Sequence, residues 1–274
     1  CTACPAGSFT EDDEADRCTP CPLGGYCPDA GASSRLVFRQ CPAGTYNPST
    51  GASSNASCIA CAPGKANPVP GSSDESVCRP CLPGSVAAAN GTAVCDLCEA
   101  GTYQGSRGRT ACLDCTAGYI CVEGSSVPVS CPGGTFSNGT NLAALTECTP
   151  CPAGSSCSTG STRPTPCSPG TFTATSGQSE CEPCPGGTFQ RLSNATACEG
   201  CSSCSNGTEW MAAPCTPVED SICTGCSNMQ CSYGQIRRGS CGGTDNGYTC
   251  ANCDADRYCP GVAPFDVDYP MPSP

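Results

Sequence analysis

Apolar side chains are thinly scattered along this 274-residue chain, and where they recur they do so in one setting. An aromatic stands five residues after a cysteine, behind a Gly-Thr or Gly-Ser turn. The copies read Cys4-Pro-Ala-Gly-Ser-Phe9, Cys41-Pro-Ala-Gly-Thr-Tyr46, Cys98-Glu-Ala-Gly-Thr-Tyr103, Cys131-Pro-Gly-Gly-Thr-Phe136, Cys167-Ser-Pro-Gly-Thr-Phe172 and Cys184-Pro-Gly-Gly-Thr-Phe189. Polar clusters rich in Ser, Thr, Gly and Asn, such as 48–54, follow before the next cysteine. That order predicts a short strand, a turn and a return strand closed by a disulfide. A unit repeated this often predicts a linear array in which each repeat touches mainly its neighbours. The expected fold is small and disulfide-rich: an elongated array of short β-hairpin modules with little helix and a minimal hydrophobic core.

Composition explains why staples are needed. Cysteine supplies 33 residues, glycine 33 and proline 27, whereas Leu, Ile, Val and Phe together number only 29. So small an apolar share marks a chain that would be disordered without cross-links. Covalent bonds must therefore supply the shape. Disulfides at this density persist only in an oxidising compartment, which places the chain outside the cell or on its surface. Five N-glycosylation sequons agree, at Asn55, Asn90, Asn138, Asn194 and Asn206, all in loops between cysteine pairs.

No apolar run approaches the roughly 20 residues of a membrane span. No signal peptide is visible either, so one is expected to have been removed or to lie upstream. Net charge is −12, and Lys65 is the single lysine. Such a chain repels nucleic acid and anionic membrane surfaces, so neither is expected as a partner of this segment.

The cysteine spacing is quantised. Cys4 to Cys18, Cys81 to Cys95, Cys98 to Cys112, Cys167 to Cys181 and Cys184 to Cys198 form one loop length; Cys41 to Cys58, Cys61 to Cys78 and Cys131 to Cys148 form another, three residues longer. A difference of three fits an insertion at the loop tip, since closure entropy grows slowly with length. Three inserts break the beat: Cys21 to Cys27, Cys115 to Cys121 and Cys151 to Cys157, each followed by a further cysteine. A nested pairing joins Cys21–Cys27 and Cys41–Cys58; an interleaved one joins Cys21–Cys41 and Cys27–Cys58. The Gly-Thr-Tyr signature after Cys41 favours the nested form.

From Cys201 the rhythm changes to Cys201, Cys204, Cys215, Cys223 and then Cys226, Cys231, Cys241, Cys250. These segments resemble the cysteine-rich modules of the tumour-necrosis-factor receptor family. The resemblance implies pairing of first to third and second to fourth: Cys201–Cys215, Cys204–Cys223, Cys226–Cys241 and Cys231–Cys250. The loops before Cys201 resemble ephrin-receptor-like cysteine-rich repeats, relatives of EGF-type modules. The expected organisation is thus ephrin-receptor-like repeats over 1–200, two tumour-necrosis-factor-receptor-like modules over 201–250, and a partial module with a Pro-rich extended tail over 251–274. Cys1 is left over in either pairing, so the chain is expected to be a piece of a longer array or to bond another chain there.

Cysteine chemistry other than stapling is not expected. The chain has no histidine, and its carboxylates form no recognisable acid–base pair. Repeated Cys-x-x-Cys also suits zinc, but the sequons and the regular loops argue for disulfides. The residues between paired cysteines offer no cations to lower a thiol pKa, so redox catalysis is not expected. The run 11–16 lacks the ligand alternation of a calcium loop. Arg237, Arg238 and Tyr233 form a further candidate contact region, and Trp210 is expected to pack on a disulfide. No catalytic residue, metal or cofactor is expected beyond N-linked glycans. Two roles remain. One is a structural glycoprotein that packs with itself or with another extracellular filament protein, in the manner of the mastigoneme glycoproteins of algal flagella, which such arrays are similar to. The other is a receptor or adhesion ectodomain that binds a protein ligand through 201–250.

Overall fold

The computed structural model describes residues 3–10, 17–205, 207–226, 235–252, 257–258 and 269–270. Cys1, the acidic run 11–16, Asn206, Cys231, Tyr233, Cys253, Cys259 and all of the tail except 269–270 lie outside them. The chain divides into two units, Cys1–Thr149 with Thr159–Arg163, and Pro150–Ser158 with Pro164–Pro274. Both are built from short antiparallel hairpins, the first with 3-10 turns as well, and there is no α-helix among the described residues. Eleven two-residue hairpins follow one another, from Ser8–Phe9 with Thr19–Pro20 to Thr188–Phe189 with Glu199–Gly200.

The repeated signature is a turn, and each of its residues has a job. In the repeat that opens at Cys41, the third residue on, Gly44, sits at φ +86°, a region glycine enters without cost. Next comes a hydroxyl. Thr45 Oγ1 donates to the Pro42 carbonyl at 2.7 Å, and the Thr45 N–H donates to the same oxygen at 3.2 Å. Thr45 and Tyr46 then pair with Ala60 and Ile59 just before the next repeat. Thr102, Thr135, Thr171 and Thr188 close their turns through the same hydroxyl bond.

From Cys21 to Cys184, an interior post stands six residues after each opening cysteine. Cys27, Asn47, Asn67, Ala87, Gln104, Cys121, Ser137, Cys157, Thr173 and Gln190 are all buried there. The polar ones satisfy themselves across or within repeats, as buried polar groups must. Asn47 Nδ2 donates to the Gly25 carbonyl at 2.8 Å, and Asn67 Nδ2 donates to the Thr45 carbonyl at 3.0 Å. Thr173 Oγ1 donates to the Ser155 carbonyl at 3.2 Å.

A backbone ladder joins successive repeats. The Gly44 N–H donates to the Asn67 carbonyl at 2.7 Å, the Asn47 N–H to the Ser72 carbonyl at 3.0 Å, and the Gly71 N–H to the Cys41 carbonyl at 2.8 Å. In the second unit the Gly154 N–H reaches the Thr173 carbonyl at 3.0 Å and the Gly177 N–H reaches the Cys151 carbonyl at 2.8 Å. Contact also extends past the adjacent repeat: a Cβ added to Gly44 would fall on the carbonyl oxygen of Gly91, two repeats along. Neighbour-only packing, as expected from the period, is therefore too narrow a description.

Two further expectations are corrected. The three extra residues of the longer loops are not at the tip. The tip residue lies ten after the opening cysteine in both classes, as Gly51 and Gly91 show. The extra residues form a 3-10 turn just before the closing cysteine, at Asn55–Ser57, Glu75–Val77 and Leu145–Glu147. Nor are the Cys-x5-Cys segments inserts. Each is a full repeat with its own hairpin, Gly25–Tyr26 with Arg39–Gln40 in the first case. Their cysteine at the interior post bonds the opening cysteine directly, giving Cys21–Cys27, Cys115–Cys121 and Cys151–Cys157. The closing cysteine is then absent, and Phe38, Pro128 or Pro164 occupies its place in the sequence. In the first of these repeats the Phe38 ring fills the space beside the hairpin. A Cβ on Gly25 would strike both the Arg39 carbonyl oxygen and that ring, which explains why glycine replaces the usual threonine.

Buried apolar side chains form two small clusters among the described residues: Phe9 with Cys21 and Cys27, lined by Ala32, Val37 and Phe38, and Ile120 with Leu142, Cys131 and Cys148. Sulfur accounts for most of the fully buried side chains.

Two substitutions test the ladder. Gly44→Ala combines a left-handed backbone with a clash against Gly91, and should cost about 1–3 kcal/mol. Gly177→Ala has the same backbone in open space and should lower the thermal midpoint less. Separately, Asn67→Leu strips the bonds to Thr45 and Val69 and should cost roughly 1–3 kcal/mol in thermal unfolding, the usual penalty for orphaned buried partners.

Candidate interaction surface

Every described cysteine is half of a disulfide. Cys4–Cys18, Cys81–Cys95, Cys98–Cys112, Cys167–Cys181 and Cys184–Cys198 close the shorter loops. Cys41–Cys58, Cys61–Cys78 and Cys131–Cys148 close the longer ones, so the pairing around the short rings is nested. Beyond them Cys201 bonds Cys215, Cys204 bonds Cys223 and Cys226 bonds Cys241. Cys250 is also disulfide-bonded, and its expected partner Cys231 lies outside the described residues. Asn55, Asn90, Asn138 and Asn194 are all exposed. Asn194 sits at a loop tip with φ +64°, and its Oδ1 accepts from Ser155 Oγ at 3.0 Å.

Cys201, Cys215 and Asp220 come close enough together to suggest a metal site. Both sulfurs are spent on their mutual bond, however, and the carboxylate is engaged elsewhere. Asp220 accepts from the Ser202 N–H at 2.7 Å, from Ser202 Oγ at 2.6 Å and from the Ser221 N–H at 2.7 Å. The Ser202 bonds, above all, hold its carboxyl below the ordinary aspartate range. Its role is to fasten the loop between Cys215 and Cys223 onto the segment after Cys201.

That loop continues the repeat ladder. The Gln190 N–H donates to the Pro217 carbonyl at 2.8 Å, where earlier repeats use the residue after a loop tip. Val218 packs beside Gly170. The strand Glu209–Ala213 pairs with Ile222–Gly225, and an eight-residue hairpin, Gln235–Gly242 with Asp245–Asn252, follows. It is joined to the preceding turn by Gly207 N–H to Cys241 carbonyl, 3.0 Å, and Met211 N–H to Gly243 carbonyl, 2.7 Å. Trp210 lies opposite Thr224 in the shorter hairpin and is half-buried. Arg237 and Arg238 lie in the longer one, opposite Cys250 and Thr249.

A concavity results. Pro169, Arg191, Val218, Glu219, Asp220 and Ile222 line a hollow of about 550 Å³ within the second unit. Arg191 is fixed there by stacking over the Phe189 ring, 5.2 Å from its centroid. Val218 and Ile222 remain exposed. The hollow thus offers an apolar floor between a guanidinium and carboxylates. Its residues come from two repeats and a loop brought together by the ladder, so no local motif announces it.

Residues 184–223 match the TNFR/NGFR cysteine-rich region, and residues 84–127 match the tyrosine-protein kinase ephrin type A/B receptor-like family. Each match covers well under half of the chain. The first begins at Cys184 rather than Cys201, so it takes in the Cys184–Cys198 loop and five of the six residues around the hollow. No curated protein matches the chain. Both families are receptor-type cysteine-rich modules. With the disulfides, they fit an extracellular location; no helix among the described residues is long and apolar enough to cross a membrane.

Asp220 supplies a pH test. A folded-state pKa below the unfolded value of about 3.9 means its contribution is complete above that pH and is lost as pH falls through the folded value. Protection of the Ser202 amide, followed by NMR hydrogen exchange, should hold from neutral pH to about pH 5 and decline only below about pH 4. In Asp220→Asn the protection should be weaker throughout and lose that decline.

Proposed function

We propose that the chain belongs to an extracellular structural glycoprotein, a disulfide-stapled repeat scaffold that assembles with copies of itself or with another filament protein into a surface filament or coat such as a flagellar mastigoneme. The observation that carries this reading is the ladder. Its bonds use backbone N–H and C=O groups, so repeats stack with little regard to side-chain identity, and the outer strand of each hairpin is free to vary. Arg39, Ile59, Arg79, Leu97, Leu113 and Glu182 all lie exposed on those strands. A varied outer row on a constant interior suits lateral contacts between scaffolds. Glycans on Asn55, Asn90, Asn138, Asn194 and Asn206 would project from the loops and keep unwanted contacts apart. In this reading the role is non-catalytic, and the charge of −12 argues against nucleic acid as a partner.

One observation favours a second reading. The hollow at Arg191 lies mostly inside the segment that matches a receptor module, so a receptor or adhesion ectodomain binding a protein ligand there is the alternative.

Electron microscopy of the native, glycosylated material separates them. Regular fibres or sheets support the scaffold. Isolated particles, together with capture of a protein ligand that Ile222→Asp abolishes, support the receptor. Treatment with an amidase specific for N-glycans should also reduce the mass at each occupied sequon; no change would remove the glycoprotein part of the proposal.

A further inference from the structure

The relocated staples leave three stretches that no disulfide among the described cysteines crosses, apart from the short links between paired cysteines. They are 28–40, 122–130 and 158–166. A cut inside an ordinary loop leaves both pieces joined by sulfur. A cut in one of these stretches does not.

The basic residues discriminate among the three. Residues 122–130 contain no Lys or Arg, and Arg163 in 158–166 is followed by Pro164. Only 28–40 offers a basic residue with an ordinary amide after it. Within that stretch Arg39 is held in the hairpin opposite Tyr26. Arg35 is different. Residues 33–36 are all exposed, and Leu36 is 93% exposed, the most of any large apolar side chain described. Their bonds are local: Leu36 N–H to Ser34 Oγ at 3.2 Å, Val37 N–H to Ser34 carbonyl at 3.3 Å and Phe38 N–H to Arg35 carbonyl at 3.0 Å. Ladder bonds at Gly31 and Ala32 anchor one side, and Val37 and Phe38 pack against the Phe9 cluster on the other. The segment between can open into an extended strand, as a protease requires, by giving up three local bonds and no ladder bond. By contrast, the Arg109 carbonyl accepts the Ala87 N–H of another repeat at 3.1 Å, and Arg107 precedes Gly108, whose N–H is bonded to the Cys81 carbonyl at 2.9 Å.

We propose that Arg35–Leu36 is a processing site for an extracellular, arginine-specific serine endoprotease, and that cleavage there, within the repeat opened by Cys21, separates the part carrying Cys4–Cys18 and Cys21–Cys27 from the repeats that follow, with every neighbouring disulfide intact. The step is hydrolysis of one amide: water supplies hydroxyl to the Arg35 carbonyl carbon and a proton to the Leu36 nitrogen. The guanidinium fills the specificity pocket and the protruding Leu36 takes the adjoining subsite.

Limited digestion of the native, unreduced chain with trypsin tests this by intact mass and non-reducing electrophoresis. The first product should be two separate species ending at Arg35 and beginning at Leu36. Arg35→Gln should lose that early product while keeping the same number of free thiols as the parent chain, and Arg109→Gln should leave the product unchanged. First cleavage at another residue, or a cut at Arg35 whose pieces stay joined without reductant, would overturn the proposal.

Discussion

A sulfur–sulfur bond from the opening cysteine of each repeat is the constraint on which the rest depends. It pins the start of a turn whose glycine N–H and carbonyl must both face the next repeat. Closing a loop of about 15 residues contributes roughly 3 kcal/mol through lost chain entropy. Burial of 29 large aliphatic and phenylalanine residues spread over the whole chain could not replace that. Once the turn is held, the ladder becomes favourable, because each amide meets a carbonyl already placed for it. The same logic carries past the last hairpin-type repeat. The loop of Cys215 and Cys223 meets Gln190 as another repeat would, and Asp220 secures it.

Staple position is a variable that the repeat tolerates. When the interior post is Asn47, it bonds the carbonyl of Gly25 in the preceding repeat; when it is Cys27, it bonds Cys21. The shorter ring should stabilise by about 0.7 kcal/mol less than a full loop in the entropic treatment. It also leaves the return arm tied only by hydrogen bonds and packing. Phe38 compensates in one such repeat by filling the vacated place. An array can in this way keep one backbone course while varying where it is covalently closed, and hence where it can be divided.

Much of this was legible in the residues. The hairpin, the turn glycine and the closed loops follow from Cys41-Pro-Ala-Gly-Thr-Tyr46 and its siblings, since glycine and threonine there have specific backbone duties. Other features were hidden because they reside in relations between distant repeats. Asn47 and Asn67 look like ordinary loop residues until the neighbouring turn is placed against them. The 3-10 turns read as tip insertions because loop length alone does not say where three residues go. The Arg191 hollow gathers side chains from 169 to 222, and no single stretch of sequence contains it. Nor does a module boundary follow from rhythm alone, since Cys184–Cys198 serves both as one more repeat and as the opening loop of the receptor-like segment.

The central claim is that the short rings are complete repeats with a moved staple. Mass-spectrometric mapping of the unreduced, enzymatically fragmented native protein tests it most directly. The account predicts peptides in which Cys115 is linked to Cys121 and Cys131 to Cys148, with the same arrangement at Cys21–Cys27 and Cys151–Cys157. Linkage of Cys115 to Cys131 and of Cys121 to Cys148 would contradict it.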